Sequence, residues 1–393
     1  MSLVPARRAT ATVFVLNGFV LGMWVVNIPE ILDRTGTSKA QLGTLLLLLG
    51  GSALIGMQVA GRLVDRYGSR AVAVVAALAG CTALLGPAFA TDVWTLAIAL
   101  AVLGFTNGGV DVAQNAHGVE VERGYGRPVM SSFHAYFSLG GVFAAGLGGA
   151  LIAAGTDLRL SLGIAAAIGV GATLAARGGL LHPATREQTE QPSGPRAPWS
   201  GRVLLLGVLA FVLLLAEGVA YDWSTVHLHQ SLDSSREVAA WAFGAFSVTM
   251  TGMRLLADRI VARVGPGAYV RVAALVGAAA LAGAALAPNA PTAIAAWALF
   301  GVGLAGCTPQ FFSAAGTVDA RAMGDEPQEA DYSASGTYVA RIAGFGYVGL
   351  LAGPATIGLL TTWVPLTTAF LVPIVGCVVA GLLAPRALRT TTA

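Results

Sequence analysis

An all-α membrane protein, with twelve transmembrane helices in two pseudo-symmetric six-helix bundles, is the fold this sequence predicts. Three observations carry that expectation. Only 11% of the 393 residues are charged, less than half the roughly 25% of an average soluble domain. Apolar runs of about 20 residues recur along the whole length, each long enough to cross a bilayer as a helix. Arginines gather in alternate interruptions of those runs. A transmembrane β-barrel would show short alternating segments instead.

The first run follows Arg7 and Arg8, as a signal peptide would, but it is too long for an h-region. It leads to Asn27-Ile28-Pro29-Glu30 without a small-residue cleavage pattern, so it reads as a retained helix. The expected spans are 10–31, 41–61, 71–90, 94–116, 129–154 and 160–181 in the first half. In the second they are 202–228, 238–256, 268–287, 292–316, 333–358 and 364–385. Between them "HPATREQTEQPSGPRAPWS", residues 182–200, holds four prolines and reads as a flexible cytoplasmic linker. The domain division is therefore 1–181, a linker over 182–200, and 201–393.

Orientation follows from the basic residues, because cytoplasmic loops collect Lys and Arg. With both termini cytoplasmic, the outer loops hold only Arg34, Lys39, Arg159 and Arg236. The other 19 of the 23 basic residues lie at the inner side. The chain is expected in the cytoplasmic membrane. Cys81, Cys307 and Cys377 stand singly in apolar runs, which is neither a disulfide framework nor a metal spacing.

The charged stretch "GRLVDRYGSR", residues 61–70, is echoed by "GMRLLADRIVARVG" after the eighth span. Leu63 to Arg66 align with Leu256 to Arg259, placing Asp65 and Asp258 in equivalent loops about half a chain apart. Recurrence at half-length implies duplication about an axis along the membrane normal.

An acid in a spanning helix costs about 2.5–3.5 kcal/mol on insertion scales, so it faces a cavity or a partner. Glu217 lies deepest, in the seventh span, and Asp111 in the inner third of the fourth. Asp222 and Glu30 stand nearer the outer ends of the seventh and first. Burial disfavours the charged form of an acid, and a proton crossing the membrane potential supplies about 2.3 kcal/mol per 100 mV. The four acids are accordingly the candidates for proton coupling. Helical spacing puts Glu217, Tyr221 and Ser224 on one face, Asn107, Asp111 and Gln114 or Asn115 on another, and Asn17, Trp24 and Asn27 on a third. The candidate substrate contacts are Asn17, Trp24, Asn27, Asn107, Asn115, His134, Tyr136, Tyr221 and Gln310. His134 reads first as bonded to a backbone carbonyl, and Trp223 as an interfacial anchor.

Glycine clusters such as "GGVFAAGLGGAL" follow no strand and suit close helix packing. No Walker A sequence, catalytic triad or metal cluster is present, so neither an enzyme nor an ATP-driven pump is expected, and no cofactor.

"GRLVDRYGSR" resembles the signature loop of the major facilitator superfamily, with Gly61, Leu63, Asp65, Arg66, Gly68 and Arg70 matching its motif and Ser69 departing from the usual basic residue. "DVAQNAHGVEVER" (111–123), "SSFHAYFSLGG" (131–141), "AEGVAYDW" (216–223) and "GFGYVGLLAGPATIG" (344–358) resemble a narrower branch, the YbjJ-like permeases of bacterial inner membranes. The resemblance implies a cavity lined by the first, fourth, seventh and tenth helices. It also implies a conformational latch at Gly61, Asp65, Arg66, Gly68, Arg70, Asp258 and Arg259. The arginine and Gly-Pro motifs usual in the fourth and fifth helices of its drug–proton antiporters are missing. The expected function is secondary active transport of a small polar organic solute by alternating access, coupled to protons. The alternatives are export of a drug or secondary metabolite by proton antiport, and a non-transporting sensor of the same fold. The expected partners are a small-molecule substrate, protons and the lipid bilayer, with no nucleic acid, and a monomer as the working unit.

Overall fold

The computed structural model describes residues 3–126, 129–181, 200–316 and 332–388. Twelve helical spans are seen among them. The first half comprises α1 (Val4–Thr35), α2 (Lys39–Tyr67), α3 (Ser69–Phe89, interrupted after Ala83), α4 (Val93–Tyr125), α5 (Met130–Ala153) and α6 (Leu158–Ala176). The second comprises α7 (Gly201–Ser231), α8 (Arg236–Val264), α9 (Pro266–Ala285), α10 (Ala290–Ala314, interrupted after Leu304), α11 (Tyr332–Leu360) and α12 (Leu366–Ala387). Nearly all of the expected linker, 182–199, lies outside the described residues.

Eleven of these helices are long and apolar enough to cross a membrane. The remaining one, α8, is diluted by Arg236, Glu237, Arg254, Asp258, Arg259 and Arg263.

Local chemistry sets the boundaries. Ser38 and Gln41 form a capping box at the start of α2, which satisfies two otherwise orphaned backbone donors. Asp92 does the same for α4, accepting from the N–H groups of Trp94 and Thr95 at 2.8 and 3.0 Å. The turn from α2 to α3 rests on Gly68 (φ 83°), and that from α8 to α9 on Gly265 (φ 81°). Both lie in a region where a Cβ is strained.

Those two glycines correct the register of the repeat. Val4 and Gly201, Lys39 and Arg236, Ser69 and Pro266, and Val93 and Ala290 are helix starts, each pair 197 residues apart. At that offset Gly68 matches Gly265, and the caps Asp92 and Asn289 match each other. "GRLVDRYG" (61–68) then pairs with "DRIVARVG" (258–265). Asp65 therefore corresponds to Ala262, and Asp258 to Gly61, one helical turn earlier than the sequence echo suggests. The Leu-x-Asp-Arg match misled because a four-residue shift keeps side chains on nearly the same helix face.

The duplication extends to packing. A Cβ on Gly104 would lie 2.1 Å from the Leu49 carbonyl oxygen, and one on Gly301 would lie 2.5 Å from that of Phe246. Both glycines let α4 close on α2 and α10 on α8, as small residues do in lipid, where packing rather than water drives association.

The halves meet along α2 with α11 and α5 with α8. Contact is closest at the face away from the termini. There Gly43 abuts Gly358, and Gly244 and Gly149 face Ala145 and Ala240. The Thr225 hydroxyl of α7 donates to the Val25 carbonyl of α1 at 3.2 Å.

Candidate functional site

Two polar links cross between the halves at mid-depth. In the first, Arg254 on α8 donates from Nη2 to Glu217 Oε1 on α7 at 2.9 Å, and from Nη1 to the Ser138 hydroxyl of α5. Glu217 is 6% exposed, so its carboxylate could not be held there uncompensated. His134 lies one turn before Ser138 and near the guanidinium. Its ring packs edge-on against Phe14 at 5.5 Å. Among the described residues it makes no bond to a backbone carbonyl, contrary to the first reading. Tyr221, one turn after Glu217, sits against Phe243 and Phe246 at 5.7 and 5.8 Å.

In the second link, the Tyr347 hydroxyl of α11 donates to Asp111 Oδ2 on α4 at 3.1 Å. Gln114 and Asn115 each donate to Asp111 Oδ1 at 3.2 Å. Asp111, Gln114 and Asn115 of the expected α4 stripe are therefore a hydrogen-bonded set, completed from the other half, while Asn107 stands outside it.

The remaining candidates disperse. Asn17 and Asn107 border a small void between α1, α3 and α4. Trp24 is 1% exposed and lies beside Asp222, inside the packing rather than open for stacking. Asn27 Nδ2 donates to the Met23 carbonyl at 2.8 Å. Gln310 Nε2 donates to its own helix at Gly306. Tyr136 is two residues beyond His134 and so faces a different side, lining a groove on α5. Trp223 is no interfacial anchor. It is fully buried, and its indole N–H donates to the Pro354 carbonyl at 3.0 Å, inside α11.

Glu30 belongs to a third cluster, at the face away from the termini. Arg236 of α8 approaches Glu30 at 3.6 Å and donates to Asp33 at 2.8 Å. His229 of α7 meets Asp33 Oδ2 at 3.2 Å through Nε2 and the Ser234 carbonyl at 2.8 Å through Nδ1. Both ring nitrogens therefore face oxygen atoms that can accept a hydrogen bond. This cluster ties α1 to α7 and α8 and fastens that face.

At the terminal face, Asp65, Arg66, Asp258 and Arg259 are exposed. Arg70 donates to the Arg177 carbonyl at 3.0 Å, within its own half. Ser69 has a local use: it accepts from His117 Nδ1 at 2.8 Å and donates to Glu120 at 3.0 Å. His117 Nε2 in turn accepts from the Leu181 N–H, so the α2–α3 turn is tied to the ends of α4 and α6.

Sequence reasoning missed Arg254, the cation that organises the centre. Its signal was available as an arginine inside the expected eighth span, the basic counterpart of the acids that were singled out. Ser138 and Tyr347 could not have been found, since only the docking of the halves brings them to their partners.

Comparison with known proteins agrees with this architecture. Residues 10–325 match the sequence model of the Major Facilitator Superfamily. An uncharacterized transporter of Sinorhizobium fredii, y4wD, is 34% identical over 391 residues, covering 98% of each chain. An uncharacterized MFS-type transporter of Yersinia pestis is 33% identical, covering 95% of this chain and 92% of its own. Among solved structures, a D-xylose–proton symporter superposes with a TM-score of 0.76 over 100% of this chain and 99% of its own, at 14% identity. Matched along most of its length, the chain belongs to the major facilitator superfamily and is a multi-pass membrane transporter rather than an enzyme.

Proposed function

We propose that this protein is a proton-coupled secondary transporter of a small polar organic solute, a YbjJ-like permease of the cytoplasmic membrane that works as a monomer. The observation that carries the reading is the Glu217–Arg254–Ser138 link. A carboxylate, a cation and a hydroxyl meet at mid-depth, on three helices of both halves. Glu217 and Arg254 share the second half, and the Arg254–Ser138 bond is the one that crosses. Protonating Glu217 removes the charge that positions Arg254 for that bond, so proton binding bears on the link between the halves. Two bundles rocking about such a site are the general basis of alternating access. The placement of 19 of the 23 basic residues supports cytoplasmic termini. In that orientation the face fastened by Asp33, Arg236 and the Gly43–Gly358 contact is the outer one, and the conformation is inward-facing. The symporter sharing its fold is named for a sugar and a proton, which accords with a polar solute.

Glu217→Gln tests the reading, because glutamine keeps an acceptor for Arg254 and loses only the charge. A thermal-shift screen against sugars, amino acids and organic acids identifies a ligand, since binding to the native state raises apparent stability. Proteoliposomes with an imposed proton gradient then show uphill movement with the unsubstituted protein and only equilibration with Glu217→Gln. Full uphill transport by the variant overturns proton coupling at this residue. The direction of the uphill movement separates uptake from antiport export.

A further inference from the structure

A groove of about 1150 Å³ runs along the first half, floored by α1 and walled by α5 and α6. It is distinct from the central links, because its α5 wall is built by Tyr136, Leu139, Phe143 and Gly146 and not by His134 or Ser138. Phe143 and Ile168 at its edges are 53% and 46% exposed, so it opens sideways towards the bilayer. Its walls are apolar along nearly the whole length, with charge confined to one end. There, at the terminal face, stand Arg7 and Arg8. Arg7 is held over the Tyr125 ring at 5.7 Å, and neither arginine has a carboxylate partner among the described residues.

The length agrees with one lipid leaflet. From Val4 to Phe19 the α1 floor rises through fifteen residues, about 22 Å at 1.5 Å each. Half a bilayer with its headgroup layer is about 20–22 Å. The basic end therefore falls at headgroup level and the apolar stretch at acyl-chain level. We propose that this groove is a binding site for an anionic phospholipid of the leaflet at the terminal face, with its phosphate between Arg7 and Arg8 and an acyl chain along α1. Basic pockets between transmembrane helices favour such headgroups. A zwitterionic lipid fits the apolar part equally and lacks the net charge that the paired arginines select.

The test uses the full chain in detergent with phosphatidylglycerol or phosphatidylcholine of identical acyl chains, and native mass spectrometry to count retained lipid. The expected result is one phosphatidylglycerol per chain, preferred about 30-fold, the ratio expected for two basic residues beside one anionic headgroup. Arg7→Gln with Arg8→Gln abolishes the preference. Gly146→Phe fills the groove where a Cβ would meet nothing within 4 Å, so it removes the bound lipid while the unfolding temperature in lipid-free detergent stays unchanged. Equal retention of the two lipids overturns the proposal. So does a preference that survives loss of both arginines. Phosphatidylglycerol retained by Gly146→Phe places it on the surface outside the groove and overturns the proposal as well.

Discussion

Replacing Gly358 by alanine tests how the face away from the termini closes. A Cβ at this position would lie 2.1 Å from the Gly43 Cα and 2.6 Å from its nitrogen. Ordinary carbon contacts need about 3.5 Å, so α2 and α11 must part there by about 1.4 Å. Both partners are backbone, and no rotamer change relieves the clash. Overpacking of this kind costs about 1–3 kcal/mol, and it falls only on the conformation in which the two helices touch. The alanine itself favours helix by about 1 kcal/mol over glycine, equally in both conformations. The balance between closed and open at this face therefore shifts about 5- to 150-fold towards open. Spin labels at Thr44 and Thr362, both exposed near the ends of α2 and α11, report the change as a longer distance population. Gly51→Ala, whose Cβ would meet nothing within 4 Å, is the control and leaves the distribution unchanged. If Gly358→Ala gives the same distribution as the unsubstituted protein, the glycine contact does not limit closure and the reasoning fails.

Glu217→Ala strands Arg254, whose side chain is 23% exposed. It should cost about 3 kcal/mol, the low end for removing one partner of a buried pair. Glu217→Ala combined with Arg254→Gln should recover most of that loss. Thermal unfolding through the double-mutant cycle reads the difference, and simple additivity would argue against coupling. Arg236→Gln removes the contacts to Asp33 and Glu30, which are partly exposed, so it should favour opening of that face by only about 1 kcal/mol. The same spin-label pair measures it, and the effect should shrink at high salt. At the α4 cap, the Thr95 and Trp94 N–H groups hold the Asp92 carboxyl below its ordinary value. A depressed folded value means its contribution is complete above the ordinary carboxylate range and fades as pH falls through the lowered one. Asp92→Asn keeps the cap and should flatten the acid limb of the unfolding profile.

The spans were legible because helix crossing is a one-dimensional property. A run of about 20 apolar residues between arginine-rich turns carries it locally. The site was legible only in part. Glu217, Asp111 and Asn115 stood out because a polar residue in an apolar run announces itself, and Asp111 with Asn115 needed nothing more than helical spacing to be grouped. Arg254 was overlooked although it follows the same rule, since α8 ends in a cluster of charges that masked it. Trp24 and Trp223 were misjudged for a different reason. Their depth along a helix is readable, but whether the ring faces lipid, cavity or a neighbouring helix depends on rotation within the bundle. Trp223 turns towards Pro354 of α11, 131 residues away.

By itself the sequence determined the twelve crossings, the duplication, the family and the expected orientation. The crossings, the duplication and the orientation follow from composition, spacing or charge along one strand of chain, and the family from the resemblance of its signature loop. Only the tertiary structure decided the register of the repeat, the partnership of Arg254 with Glu217 and Ser138, that of Tyr347 with Asp111, and the fastening of one face by Asp33, His229 and Arg236. "GRLVDRYG" finds its true counterpart one turn later than its best sequence echo, because helix ends and turn glycines set equivalence in space. The cross-half links arise from how two bundles dock, and no local pattern encodes which residues of one half will face those of the other.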